Sequence, residues 1–116
     1  MKKLYVLLAV VLMAAMIVPA VAAQDAPDCA SADVFCVGLV TDVGKVDDKS
    51  FNQSAWEGVK QAEKELGAYV QYIETADARD YAKNISTFAD EKYDVIVTAG
   101  FNLRQDTRDA AGTYPD

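Results

Sequence analysis

Residues 34–67 read VFCVGLVTDVGKVDDKSFNQSAWEGVKQAEKELG, and their hydrophobic pattern changes period once. Val34 to Val40 is an unbroken run rich in β-branched and aromatic residues, the pattern of a strand covered on both faces, with Asp42 as its end. From Phe51 the apolar positions are Phe51, Ala55, Val59, Ala62 and Leu66, stepping by four, four, three and four, while Glu57, Lys60, Gln61, Lys64 and Glu65 fall mostly elsewhere. This spacing predicts an amphipathic helix. Ser50, with Gln53 three residues on, predicts a capping box in which the serine hydroxyl accepts from the Gln53 amide and the Gln53 side chain returns to Ser50. Gly67 is the expected stop.

The same alternation continues toward the C-terminus. Ala68 to Ile73 reads as a second strand, and Asp77 with Asp80 as N-capping acids for a second helix whose apolar face is Tyr81, Ala82, Ile85, Phe88 and Ala89. Asp94 to Gly100 is a third strand of the buried kind, followed by a weaker helical stretch from Leu103 to Ala111 that Pro115 ends. The order β-α-β-α-β-α makes the fold class α/β, a parallel sheet with flanking helices and right-handed crossovers. After Tyr114-Pro115-Asp116 such a unit feeds a fourth strand, so the expectation is a truncated chain, with the remaining sheet and any second domain beyond these residues.

Toward the N-terminus, Lys2 and Lys3 precede an uncharged apolar run from Leu4 to Val18 and the small-residue end Pro19-Ala-Val-Ala-Ala23. That is the layout of a secretory signal peptide over residues 1–23, cleaved after Ala22 or Ala23. The alternative is a membrane anchor, since Leu4 to Ala23 is long enough to span a bilayer. Lipidation at Cys29 is disfavoured, because Ala26-Pro27-Asp28 is not the small apolar triplet that a lipoprotein carries before its cysteine. Residues 24–33 have no periodicity and read as a flexible tether, so the folded part is expected over residues 34–116. The localisation implied is export, to the periplasm or the outer face of the cytoplasmic membrane.

Charge and cysteine usage narrow the function. The chain carries 18 acidic and 11 basic residues, net charge −7, and removing residues 1–23 takes two lysines and no acid. Nucleic acid is therefore not an expected partner, the basic residues being scattered singly rather than clustered against phosphate. Cys29 and Cys36 are the sole cysteines, and an exported setting favours a small-loop disulfide between them over two free thiols. The chain has no histidine, which leaves a tetrahedral metal short of ligands and any serine or cysteine nucleophile without an imidazole base. Neither a metal, a cofactor nor a catalytic residue is expected; Asp42 with Asp48 is the only acid pair worth considering.

In open parallel sheets ligands collect beyond the carboxyl ends of the strands. Two segments fall there, residues 41–53 and residues 98–105. Lys49-Ser50 resembles the end of a phosphate-binding loop, yet Asp48 stands where that loop needs glycine, and Asp47 and Asp48 repel phosphate from the helix start. What the first loop offers is a carboxylate, Asp42, with an aromatic ring and an amide, Phe51 and Asn52, and stacking plus hydrogen bonds is how a flat neutral base is held. Phe51 also fits as the first core residue of its helix, Asn52 as a solvated first-turn residue, and the aspartates as turn formers around Gly44. Gly100-Phe101-Asn102 repeats the theme in the second loop, glycine there permitting an unusual turn or a close backbone approach. Trp56 reads as a packing residue.

Val37 to Gly58, above all Asp48-Lys-Ser-Phe-Asn52 followed by Ala55-Trp-Glu-Gly58, resembles the opening of the basic membrane protein family, substrate-binding proteins of ABC importers that include purine-nucleoside receptors. The likeness continues through Tyr93-Asp-Val-Ile-Val97, Gly100-Phe101 and Tyr114-Pro-Asp116. It implies a type I periplasmic binding protein fold of two α/β lobes hinged around a cleft, of which this chain is a partial first lobe. It further implies a nucleoside ligand touched by Asp42, Phe51 and Asn52, with Lys49 and Ser50 in the same motif and Gly100-Phe101 lining the cleft. The implied partners are an ABC permease and ATPase, which hold the protein peripherally at the membrane. A ligand-sensing protein of the same fold, binding a sugar or autoinducer, is the alternative. Relatives commonly place an aspartate five residues after the glycine, where this chain has Gln105, with Asp106 next.

Overall fold

The computed structural model describes residues 25–115. The expected signal peptide, and its membrane-anchor alternative, lie outside the described residues. Among those described, no helix is long and apolar enough to cross a membrane.

The strands are β1 (Cys36–Val43), β2 (Tyr69–Thr75) and β3 (Val95–Ala99), and the helices α1 (Phe51–Leu66), α2 (Tyr81–Asp90) and α3 (Arg104–Thr113). Single 3-10 turns, Ala78–Asp80 and Phe101–Leu103, lead into α2 and α3. The sheet is parallel, with order β2-β1-β3. β1 is therefore central, and its apolar run is covered on both faces, as a strand without alternation must be.

Successive β1 side chains go to opposite sides. Val37 and Leu39 join Val59 of α1, Ala68 and Ala99 in one cluster, with Ala55, Trp56 and Ala62 packed against it. Val40 joins Tyr81, Ile85 and Phe88 of α2 and Leu103 in the other. On that second side Gly38 lies under the Phe88 ring, whose nearest carbon is 2.6 Å from where a Cβ would sit. Trp56 meets Tyr72 edge to face, ring centroids 4.9 Å apart.

Some expectations need correction. β1 continues through Thr41 and Asp42 to Val43 rather than ending at Asp42, because those polar side chains are satisfied within the fold. Phe51 and Leu66 are 67% and 68% exposed, so neither belongs to the core; α1 meets the sheet through Ala55, Val59 and Ala62, and its two ends carry their apolar residues beyond it. Ala82 on α2 is likewise exposed. The Ser50–Gln53 capping box does not form. Ser50 makes no side-chain cap bond, its backbone lying outside the extended region a capping residue uses, and Gln53 donates instead to Glu57 at 2.9 Å. Asp77 caps the 3-10 turn by accepting from the Arg79 backbone N–H at 2.9 Å, whereas Asp80 makes no cap bond. Gly67 stops α1 in the left-handed region at φ 68°, its N–H reaching Glu63 O at 3.1 Å.

Before β1 the chain folds in turns, with Ser31 N–H donating to Asp28 O and Val34 N–H to Ser31 O, each at 3.1 Å. The sulfurs of Cys29 and Cys36 are joined, which ties this segment to the start of β1. Asp94 fixes the same point from the other side, accepting the Cys36 N–H on its carboxylate at 2.7 Å and donating its own N–H to the Cys36 carbonyl at 3.1 Å.

Candidate functional site

The carboxyl ends of β1 and β3 lie side by side, paired through Thr41 and Ala99. Two buried threonines set how β1 leaves the sheet. The Thr41 hydroxyl donates to the Gly44 carbonyl at 3.0 Å and accepts the Thr75 N–H at 3.2 Å, while the Thr75 hydroxyl accepts from the Asn84 amide at 3.0 Å. Buried hydroxyls are tolerated only when paired in this way. The pairing with β2 shifts register between Val40 and Val43, and Asp42 sits at that irregularity.

Asp42 is the hub of the mouth. One carboxylate oxygen, Oδ1, accepts from the Val43 N–H at 2.6 Å, from the Tyr81 hydroxyl and from the Asn102 amide at 3.2 Å. Its Oδ2 accepts from the same amide at 2.9 Å and from the Asn102 N–H at 3.4 Å. Partial burial pushes the Asp42 pKa up, but the Tyr81 hydroxyl, the Asn102 amide and the two backbone N–H groups outweigh it, so the net shift is downward. The partner responds oppositely: the anion beside it, with burial, raises the Tyr81 pKa. Gly100 makes the approach possible. At φ 126° it adopts a backbone that favours glycine, and a Cβ there would stand 2.3 Å from the Asp42 Cβ.

The loop into α1 is organised by Asp48. Its carboxylate accepts from the backbone N–H groups of Ser50 at 2.8 Å, Asn52 at 3.2 Å and Gln53 at 3.1 Å. Lys49 takes the left-handed conformation, φ 56°, which turns the chain back over that carboxylate. These are the orphan donors of a helix start, and an acid among them also meets the positive end of the helix dipole. The amides that would greet a phosphate are therefore occupied by an anion. Asn52 is buried, and its side-chain nitrogen lies 3.0 Å from where a Cβ on Gly44 would be.

Beside this hub stand two exposed aromatic rings. Phe51, at the start of α1, is 67% exposed, and Phe101, just after β3, is 90% exposed; their centroids are 6.4 Å apart and their planes tilted by 44°. Thus the fold gathers Asp42, Gly100 and Phe101 at one place, with Phe51 against Phe101. Lys49 and Ser50 line the neighbouring open depression of about 640 Å³ along the first turns of α1. Gln105 donates along α3 to Asp109 at 2.9 Å. Tyr81 is not among the residues the sequence singles out for the site, whereas Asn102 is, with Gly100 and Phe101 in the second loop. Tyr81 reads only as part of an apolar helix face, and nothing local reveals that its hydroxyl meets an acid 39 positions earlier. For Asn102 the signal is Gly100 two residues before it, though its bonds to Asp42 have no signature in the sequence. Among the described residues no group of three histidines, cysteines or acids gathers as metal ligands.

A parallel α/β sheet with an open mouth past its strand ends, carrying an acid and exposed rings, is where proteins of this architecture gather their ligands. The family described as "Bmp: ABC transporter substrate-binding protein PnrA-like" matches residues 35–116, and the chain belongs to it. This is a family of substrate-binding proteins and not a class of enzymes. A CD4+ T-cell-stimulating antigen of Listeria innocua is 37% identical over 94 residues, covering 76% of this chain and 26% of its own length. An ABC transporter nucleoside-binding protein, BmpA, of Lactococcus lactis is 37% identical over 81 residues, covering 66% of this chain and 23% of its own. The crystal structure of an ABC transporter solute-binding protein from Aeropyrum pernix superimposes with a TM-score of 0.64 at 29% identity, over 70% of this chain and 22% of that one. The chain thus spans about a quarter of the length of these relatives.

Proposed function

We propose that these residues form one wall of a cleft that captures a nucleoside outside the cytoplasmic membrane and hands it to an ABC permease and its ATPase. One observation carries the reading: two phenylalanines, Phe51 and Phe101, stand exposed and adjacent at the mouth where Asp42 is held. Large apolar rings left in water at a strand-end mouth favour a flat partner, since a base stacks on a ring face whatever its sequence of heteroatoms. The acid supplies an acceptor for a hydroxyl or N–H. Lys49 and Ser50 lie in the loop that enters α1 and Asn52 in its first turn, while Gly100 brings the second loop against the acid.

Electrostatics favours the nucleoside over its phosphate. Asp48 already fills the amides at the start of α1, and the chain as a whole is acidic. The nucleoside-binding name of the Lactococcus relative points the same way. The opposing wall of the cleft, in this reading, belongs to a second lobe. The disulfide between Cys29 and Cys36 suits an oxidising, extracytoplasmic setting.

Thermal melting of the full-length protein with a panel of inosine, adenosine, uridine, free ribose and inosine monophosphate tests the proposal. Nucleosides should raise the melting temperature by mass action, with no product formed, and the monophosphate should not. No shift with any nucleoside at millimolar concentration, or a shift with ribose alone, would overturn it.

A further inference from the structure

We infer, on the reading that this mouth takes a nucleoside, that Tyr81 is a positioning residue for Asp42 and that Asn102 is the partner a ligand's hydrogen-bond donor displaces. A carboxylate offers two oxygens and about four lone-pair sites. All are in use: Val43, Tyr81 and Asn102 donate to Oδ1, and the Asn102 side chain and backbone to Oδ2. A ligand hydroxyl or N–H reaches Asp42 only by replacing one of these donors.

The donors differ in how easily they leave. The Val43 N–H belongs to the same strand end. Tyr81 is buried, its ring locked among Val40, Ile85, Phe88 and Leu103, so its hydroxyl is fixed at the acid. Asn102 is exposed and lies on a single 3-10 turn. Its side chain, once released, finds water, so the exchange of one donor for another costs little. Tyr81 then stays in place and keeps the carboxylate anionic and oriented through the exchange. It is also the titratable side chain bonded to Asp42, the groups that face the acid from the β3–α3 turn, Gly100 and Asn102, being neutral.

Calorimetric titration of inosine and uridine into the full-length protein, with Asp42→Asn, Tyr81→Phe, Asn102→Ala and the Asp42→Asn/Tyr81→Phe pair, decides the matter. Tyr81→Phe keeps the ring in the core and should weaken binding about tenfold, the scale of one hydrogen bond to a charged group. In the Asp42→Asn background, where the hydroxyl meets a neutral amide oxygen instead of an anion, the same change should have a clearly smaller effect. Asn102→Ala should leave affinity unchanged or tighten it. An equal loss from Tyr81→Phe in both backgrounds would make Tyr81 merely structural, and a tenfold loss from Asn102→Ala would make Asn102 a direct contact; either overturns the inference. A ligand-free readout separates this from the nucleoside reading. The carbon-13 titration midpoint of the Asp42 carboxyl should rise in Tyr81→Phe. Failure of the unmodified protein to bind inosine or uridine defeats the nucleoside reading, while an unmoved midpoint defeats the role of Tyr81 whatever the ligand.

Discussion

Asp42 is kept ionised by its neighbours, and that has a consequence for acid stability. Burial alone would raise its pKa, but Tyr81, Asn102 and two backbone N–H groups bring it below the ordinary carboxylate value. Its contribution to stability is therefore complete above the unfolded pKa of about 3.9 and is lost as pH falls through the lower folded value. Melting curves should place Asp42→Asn below the unmodified protein at pH 7, with the gap closing below about pH 4; a gap independent of pH would show that the acid's charge is not what its partners hold. Gly100→Ala tests the other side of this contact. A methyl 2.3 Å from the Asp42 Cβ, on a backbone at φ 126°, cannot be absorbed without moving the acid. A loss of more than about 1 kcal/mol in denaturant unfolding is expected, together with weaker nucleoside binding. Asp42 and Gly100 stood out in the sequence as an acid at a strand end and a glycine at another. Their contact did not, because they lie 58 positions apart in the chain with no periodic signal to link them, and the same holds for Tyr81 and Asn102.

At the level of elements, the start of α1 separates what pattern can tell from what geometry decides. A serine followed by a glutamine three residues later fits the capping template, yet three helix-start amides point at Asp48. Which side chain caps depends on how the loop enters, and the left-handed Lys49 sets that entry. Ser50→Ala should therefore shift stability by no more than about 0.5 kcal/mol. Asp48→Ala should lower the melting temperature measurably at neutral pH. Asp48 also has its pKa lowered, the three N–H bonds outweighing desolvation, so this difference too should vanish as pH falls through its folded value. Equal effects of the two substitutions would restore the serine as the cap. The helix and strands themselves were legible, since Val59, Ile85 and Phe88 repeat on buried faces as their spacing requires. The ends were not: Phe51 and Leu66 keep the period and still face solvent, because periodicity gives a stripe and not the length of stripe that the sheet covers.

For the whole molecule, the alternation of elements was enough to give a parallel sheet, and the central place of β1 follows from its being apolar on both sides. What sequence alone left open was whether the first loop's phenylalanine belonged to the core or to a ligand. Its exposure beside a second exposed ring removes it from the core and leaves its face open to a ligand. The most direct measurement is calorimetric titration of inosine into the full-length protein and into Phe51→Ala. Because the ring is 67% exposed, its removal should leave the melting temperature nearly unchanged while weakening binding by about 1 to 3 kcal/mol, the worth of one stacking face. Equal affinity in the two proteins, or a loss of affinity that only tracks a loss of fold, would contradict it.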